Sequence, residues 1–360
     1  MAYVGFDLDE TLGRFSVAHY AGLFLQPKEA LYESVLSGLY GSQRIPEPVP
    51  YSENLKTKCN TAFQLFVDCL VEKEKAQPRL GLVRPSMIDF IQRLYELKQT
   101  GAVKKVLIYS NNGNPALLKL AAKMLEGLGS APGLFCDFIH WYHPSRRTEV
   151  EYGRPGMARK SLQVLVSAFR GAGCASSVED MLQGEYYFFD DLNPPHADLL
   201  NRDHLTYFQI KPYKYDADPK IIIECFKQAF EGAGLVNDEE YFQYVAPILG
   251  NVSNYERILQ IMKSDAATIQ LKRNIPNDSQ LRTQFNTVFP RRVAKANFTR
   301  SLTALRKLEN KLNAGMNLSN QERANYEKAK TVITNFETQN PEQAGGKKKF
   351  RKTKKHRKHK

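Results

Sequence analysis

Residues 3–6 form a short apolar run broken at once by the acid Asp7, a pattern that predicts a buried strand ending in a polar turn. Between about residues 14 and 82 the pattern changes. FSVAHYAGLFL, ALYESVLSGLY and NTAFQLFVDCLVEK carry apolar residues at helical spacing around the turn-rich GSQRIPEPVPYS, which predicts a mainly helical insertion.

From Val83 onward strands and helices alternate. Arg84, Pro85 and Ser86 open a helix whose Met87, Phe90, Ile91 and Leu94 share one face. Residues 106–109 predict a fully buried strand ending in the turn Ser110-Asn111-Asn112-Gly113, after which Asn114 and Pro115 start another helix. Residues 135–141 predict a strand, and residues 158–169 a helix with Leu162, Leu165, Val166 and Phe169 inward and Lys160 in its first turn. Residues 186–189 predict a strand ending in Asp190 and Asp191, and residues 205–210 the last one. Such alternation implies a mostly parallel sheet covered by helices, with any ligand at the carboxyl ends of the strands. After about residue 215 helical patterns dominate. Leu302, Leu305, Leu308 and Leu312 form a stripe that predicts a helical hairpin over residues 290–338, with a stop near Gly315 and a capping box at Ser319 and Glu322.

The chemistry concentrates at the strand ends. In Asp7-Leu8-Asp9-Glu10-Thr11, Asp7 can attack a phosphorus while Asp9, on the same loop, protonates the leaving oxygen. Two anions must then approach each other, so a hard cation such as Mg²⁺ is needed between them. Asp190 and Asp191 end another strand and supply further acids; Ser110 ends a third and offers a neutral hydroxyl to a phosphate oxygen, beside Asn111. Lys160 is the best-placed cation, with Arg154 its competitor. Cys136, His140 and His143 have a C-x3-H-x2-H spacing, but residues of one strand do not converge and no fourth ligand stands at suitable spacing, so a strand edge bearing Trp141 is the better reading than zinc. His196, shortly after the acid pair, reads as a surface-loop histidine.

These four elements, in this order, resemble the haloacid-dehalogenase-like phosphohydrolase superfamily. Asp7, Asp9 and Thr11 match its aspartate-any-aspartate-any-threonine motif, Ser110 its second, Lys160 its third, and Asp190 with Asp191 its acidic fourth. The resemblance implies an α/β, Rossmann-like core, an aspartyl-phosphate on Asp7, Asp9 as general acid and base, and Mg²⁺ held at Asp7, Asp9 (through its backbone carbonyl), Asp190 and Asp191. It places Thr11, Ser110, Asn111 and Lys160 about the phosphate. DLDETL and VRPSMIDFIQRL look like the phosphatases of the RNA polymerase II C-terminal repeat and the NLI-interacting-factor-like proteins, which points to a phosphoprotein substrate. The likeness covers about residues 1–210. The corresponding division is a core of residues 1–13 and 83–214, a helical cap at 14–82, a helical C-terminal region at 215–340, and a basic tail from 341. The cap is longer than that branch would carry.

Composition changes one part of this picture. The 360 residues hold 51 Lys and Arg against 38 Asp and Glu, a net charge of +13 that suggests a nucleic-acid binder. Residues 347–360 (KKKFRKTKKHRKHK) carry ten of those positive charges and no acid, leaving +3 for the rest. The tail therefore reads as a tether or import address with affinity for nucleic acid or an acidic partner, and no core to fold around. Its Gly-Gly lead into Lys, Arg and His resembles the C-termini of many proteins of large DNA viruses. No apolar stretch is long enough for a membrane span, and five scattered cysteines predict a reducing compartment, nuclear or cytoplasmic, without a disulfide framework. Two alternatives stay open: a phosphatase of nucleic-acid ends or nucleotides, and a scaffold that keeps the fold without the chemistry.

Overall fold

The structure is a computed structural model that describes residues 2–30, 51–76, 79–141, 143, 146, 160–171, 184–192, 199, 205–249, 252–268, 273–274, 276–289 and 295–339. Strands β1 (Ala2–Phe6), β2 (Val103–Tyr109), β3 (Phe135–Ile139), β4 (Glu185–Asp190) and β5 (Leu205–Gln209) form one parallel sheet in the order β3-β2-β1-β4-β5. This is the Rossmann-like α/β arrangement that the alternating pattern predicts. The chain starts in the middle, builds outward through β2 and β3, then returns to the other side of β1 for β4 and β5. The order therefore reverses beside β1, and a crevice opens there at the carboxyl ends of the strands.

All five residues of β1 are buried, which is why the strand is apolar on both faces. On one face Tyr3, Leu107, Tyr109 and Phe188 pack against Leu165 and Phe169 of α5 (Leu162–Gly171). Gly5 permits that approach, since a Cβ there would lie 2.7 Å from the Phe188 ring and 3.2 Å from Leu165. On the other face Phe6 stacks on Phe189 at 5.0 Å and Phe189 on Phe208 at 4.7 Å. Phe285 of α9 joins this cluster, stacked at 3.8 Å on Phe90 of α3. Of these helices, α3 spans Pro85–Gln99 and α9 Ser279–Val288.

The insertion is helical where described, with α1 (His19–Leu25), a helical turn at Pro27–Ala30, and α2 (Glu53–Lys75). It leaves and rejoins the core at adjacent points, because Arg14 N–H donates to Leu82 O and Arg84 N–H to Leu12 O. Helix α2 turns Leu55, Cys59, Ala62, Phe63, Phe66 and Leu70 inward, against α4 (Pro115–Leu128) and α6 (Pro219–Gly232). Its Phe66 meets Phe226 edge-on at 6.5 Å. Two further helices, α7 (Glu239–Val245) and α8 (Tyr255–Thr268), follow, and a two-residue antiparallel pairing of β6 (Lys214–Tyr215) with β7 (Arg273–Asn274) carries no sequence signal.

The structure corrects three expectations. Cys69 of α2 and Cys225 of α6 form a disulfide, although scattered cysteines had suggested none; the partners are 156 residues apart and meet only because the helices pack. The third strand stops at Ile139, and Trp141 is buried beyond it. Lys160 precedes α5 rather than lying in its first turn. Ser161 is the residue that caps that helix, its Oγ accepting from Val164 N–H at 3.2 Å.

Closing a loop of that length by a disulfide stabilises by up to about 5 kcal/mol through the unfolded chain. Cys69→Ser is expected to lower the urea midpoint under non-reducing conditions and to make it insensitive to added reductant. A reductant-sensitive midpoint in Cys69→Ser would exclude that bond as the cause.

The described residues divide into one compact unit up to Phe285 and a second from Asn286 on. In the second, α10 (Lys295–Asn313) and α11 (Asn320–Gln339) form the expected hairpin. Gly315 takes φ +74° at the turn, and Ser319 and Glu322 cap each other, Ser319 N–H to Glu322 Oε2 at 3.0 Å and Glu322 N–H to Ser319 Oγ at 3.3 Å. Of the leucine stripe, Leu308 is buried, Leu302 and Leu305 are half-buried, and Leu312 is exposed. Arg154, His196 and the basic tail lie outside the described residues.

Candidate active site

Asp7 follows directly on β1, and its N–H continues the ladder to Phe189 O at 2.9 Å. Asp190 ends the neighbouring β4, so the strand register itself brings the two acids to one level, Phe6 opposite Phe189. Asp7, Asp190 and Asp191 each turn a carboxylate oxygen into one cluster whose atoms lie within 4.8 Å of one another. It is the single group among the described residues with the composition to hold a metal ion. Burial pushes the Asp7 carboxyl up to about 8, against the pull of Lys160 and with Asp190 and Asp191 adding to the rise. Asp191 is held up at about 6, again chiefly by burial. Three carboxyl groups pressed together are a donor set for a hard, oxygen-seeking cation, whose charge would hold them ionised.

Lys160 is the protein's own counter-charge. Buried, it places Nζ 2.6 Å from Asp7 Oδ1 and 3.2 Å from Asp190 Oδ2. Burial opposes its charge, but Asp7 and Asp190 outweigh that and raise its pKa. The phenol of Tyr109, at the end of β2, fixes the segment by accepting from Ser161 N–H at 3.1 Å.

The loop from Asp7 to Gly13 is tightly wound. Glu10 has φ +62°, its N–H donates to Gly13 O at 2.7 Å, and its carbonyl accepts from Tyr213 N–H at 2.7 Å and Arg84 Nη1 at 3.3 Å. Gly13 must be glycine here, because a Cβ would sit 2.1 Å from Leu82 O. Arg84 is itself fully buried and forks onto Asp278, with Nη2 2.5 Å from Oδ1 and Nε 3.1 Å from each oxygen; Ser86 Oγ donates to the same carboxylate. Arg14 joins Glu10 at 2.7 Å and pairs with buried Asp216. Residues 213–216 and 278 thus brace the loop from far along the chain.

The remaining expected residues divide. Asp9 lies outside the three-carboxylate cluster, and its Oδ2 accepts from Asn112 Nδ2 at 3.1 Å. Burial raises its pKa despite that bond. Thr11, buried, donates Oγ1 to Asp191 Oδ1 at 2.9 Å, so its hydroxyl steadies an acid. Ser110 lies buried at the end of β2, its Oγ accepting from Asn112 N–H at 3.1 Å. Asn111 is exposed, and its Oδ1 accepts from Arg146 Nη2 at 2.8 Å. Among the described residues, Cys136, His140 and His143 are not brought into a ligand group.

Two residues had no role in the sequence reading. Arg146, fully buried, donates Nη1 to Ser110 O at 2.9 Å and lies over the rings of Tyr109 and Trp141 at 5.0 and 5.4 Å. Asn112 holds Asp9. Neither follows from local pattern: Asn112 looks like one more turn residue, and Arg146 stands 36 residues beyond the loop it braces. Compared with known proteins, the chain matches no family model, no curated protein and no solved structure.

Proposed function

We propose that the protein is a Mg²⁺-dependent phosphatase of the haloacid-dehalogenase type, working through an aspartyl-phosphate on Asp7. One observation carries this reading. A strand-end carboxylate shares its crevice with two more acids and a buried lysine, while a second carboxylate from the same loop is held apart from them. A structural ion-pair cluster has no need of that separation. Nucleophilic displacement with a separate proton donor does.

Asp7, Asp190 and Asp191, with the Asp9 carbonyl that the motif implies, would hold the cation. When bound it would offset the charge between carboxylate and phosphate and keep Asp7 ionised. Asp7 Oδ attacks phosphorus in line with the leaving oxygen; the new O–P bond forms as the ester P–O bond breaks. Lys160 balances charge on the phosphoryl oxygens and Ser110 Oγ donates to one of them. Asp9, whose burial favours its protonated form, gives its proton to the leaving oxygen. It then takes a proton from the water that attacks the aspartyl-phosphate, freeing Asp7 and inorganic phosphate. We take the substrate to be a phosphoprotein, selected by the helical insertion as a cap.

Hydrolysis of 4-nitrophenyl phosphate by the full chain should fall to background in chelator and return with Mg²⁺. Chelator-insensitive hydrolysis would remove the cation from the proposal, and no hydrolysis of any phosphate ester would leave a scaffold.

A further inference from the structure

We infer that Asn112 is a positioning residue for proton transfer: it fixes which oxygen of Asp9 meets the leaving group. The inference rests on the phosphatase reading and adds to it a residue outside the four motifs. The orientation of the Asn112 amide is set by its other end. Its Oδ1 accepts from the backbone N–H of Asn114 at 2.9 Å, and a backbone N–H can only donate. The Nδ2 group is therefore the one that faces Asp9 Oδ2 at 3.1 Å.

That donor has a chemical consequence. A carbonyl oxygen is a better acceptor than a carboxylic hydroxyl, so the donor on Oδ2 favours the acid form of Asp9 that carries its proton on Oδ1. Asn112 thus favours one of two proton placements and restricts rotation of the carboxyl group, the kind of positioning that accelerates a transfer step. The amide is itself rigidly mounted. Its backbone N–H donates to Ser110 Oγ at 3.1 Å and its carbonyl accepts from Trp141 N–H at 2.9 Å. Asn114 is buried and is held in turn, its Oδ1 capping α4 through Leu117 N–H at 3.2 Å and its Nδ2 donating to His19 O at 3.1 Å. Arg146 ties down the preceding residues from the other side.

Leaving groups separate this role from general loosening. Phenolate, with a conjugate-acid pKa of about 10, needs a proton as it departs, whereas the far less basic 4-nitrophenolate leaves without one. kcat/KM reports the first chemical step and is blind to the later hydrolysis of the aspartyl-phosphate. In Asn112→Ala, kcat/KM for phenyl phosphate should fall about 30-fold or more, within the range that general acid catalysis supplies. For 4-nitrophenyl phosphate it should stay within about threefold of the unaltered protein. Asn112→Ser can still accept from Asn114 N–H through its hydroxyl but is too short to donate to Asp9 and adds no charge, so it should show the same split and carries the test if the alanine variant does not fold. Equal losses on both esters, or no loss on phenyl phosphate, would overturn the inference. Failure of the unaltered protein to hydrolyse either ester with Mg²⁺ would instead strike the phosphatase reading on which it rests.

Discussion

Asp7→Asn is expected to abolish Mg²⁺-dependent hydrolysis of an aryl phosphate, by on the order of 10⁴-fold or more, in a protein that still folds. The amide is nearly isosteric with the carboxylate but is no nucleophile toward phosphorus, so the covalent route closes while the crevice keeps its shape. Folding should survive because two effects oppose each other. The change removes the 2.6 Å pairing with Lys160, which keeps Asp190 as its other partner. It also removes a carboxyl that burial has raised to about 8. The sign of that second effect follows from linkage. Without a cation, the folded state binds a proton that the unfolded chain has released above about pH 4, so ionising Asp7 costs stability as the pH rises through that interval. Asparagine cannot ionise, and the cost disappears. Single-turnover assays with phosphate release, beside a circular-dichroism melt in chelator, check both halves. Wild-type rates in Asp7→Asn would show that another group is the nucleophile.

Asp278→Ala should cost about 3–5 kcal/mol of stability, because it strands the buried Arg84 without its partner. Its effect should reach the active site as well. Arg84 also holds the Glu10 carbonyl, and Glu10 sits at φ +62° between Asp9 and Thr11, a conformation that its surroundings must maintain. Replacing both members, Arg84→Met with Asp278→Leu, should recover much of the lost stability, since a buried pair is costly to break and cheap to exchange for apolar groups. Activity should not recover with it, because methionine offers nothing to Glu10. Urea unfolding and kcat/KM on the two variants and the unaltered protein measure the two quantities separately. A double variant no more stable than Asp278→Ala would mean that the pair's cost is not an unpaired charge. Arg84 and Ser86 hold the Asp278 carboxyl below the usual range, so the contribution is complete above about pH 4 and is lost as acid protonates the group.

Much of the site was legible because its parts lie where local pattern changes abruptly. Asp7, Ser110 and Asp190 each end an apolar run, and a buried parallel strand has no other way to look in sequence. Lys160 was legible by type and rough position, although Ser161 rather than the lysine begins the helix environment. The cysteines misled because spacing along the chain says nothing about two helices brought side by side; Cys69 and Cys225 pair through the packing of α2 on α6. The leucine stripe overstated its own burial, since Leu312 lies in the last turn of α10, beside the hairpin's turn, where it is 46% exposed.

By itself, then, the chain determined the five strands of the parallel sheet to within a few residues, the order in which chemistry-bearing residues leave them, the C-terminal hairpin and the placing of ten of the thirteen net positive charges in its last fourteen residues. Those are matters of periodicity and of composition, which act over a few residues. Only the tertiary structure decided which acids share a cluster, that Asp9 stands apart on Asn112, and that Arg146, Arg84, Asp216 and Asp278 hold the loops that carry them. Hydrogen bonds between side chains 35 to 202 residues apart depend on orientation within a few tenths of an ångström, and no pattern along the chain encodes that.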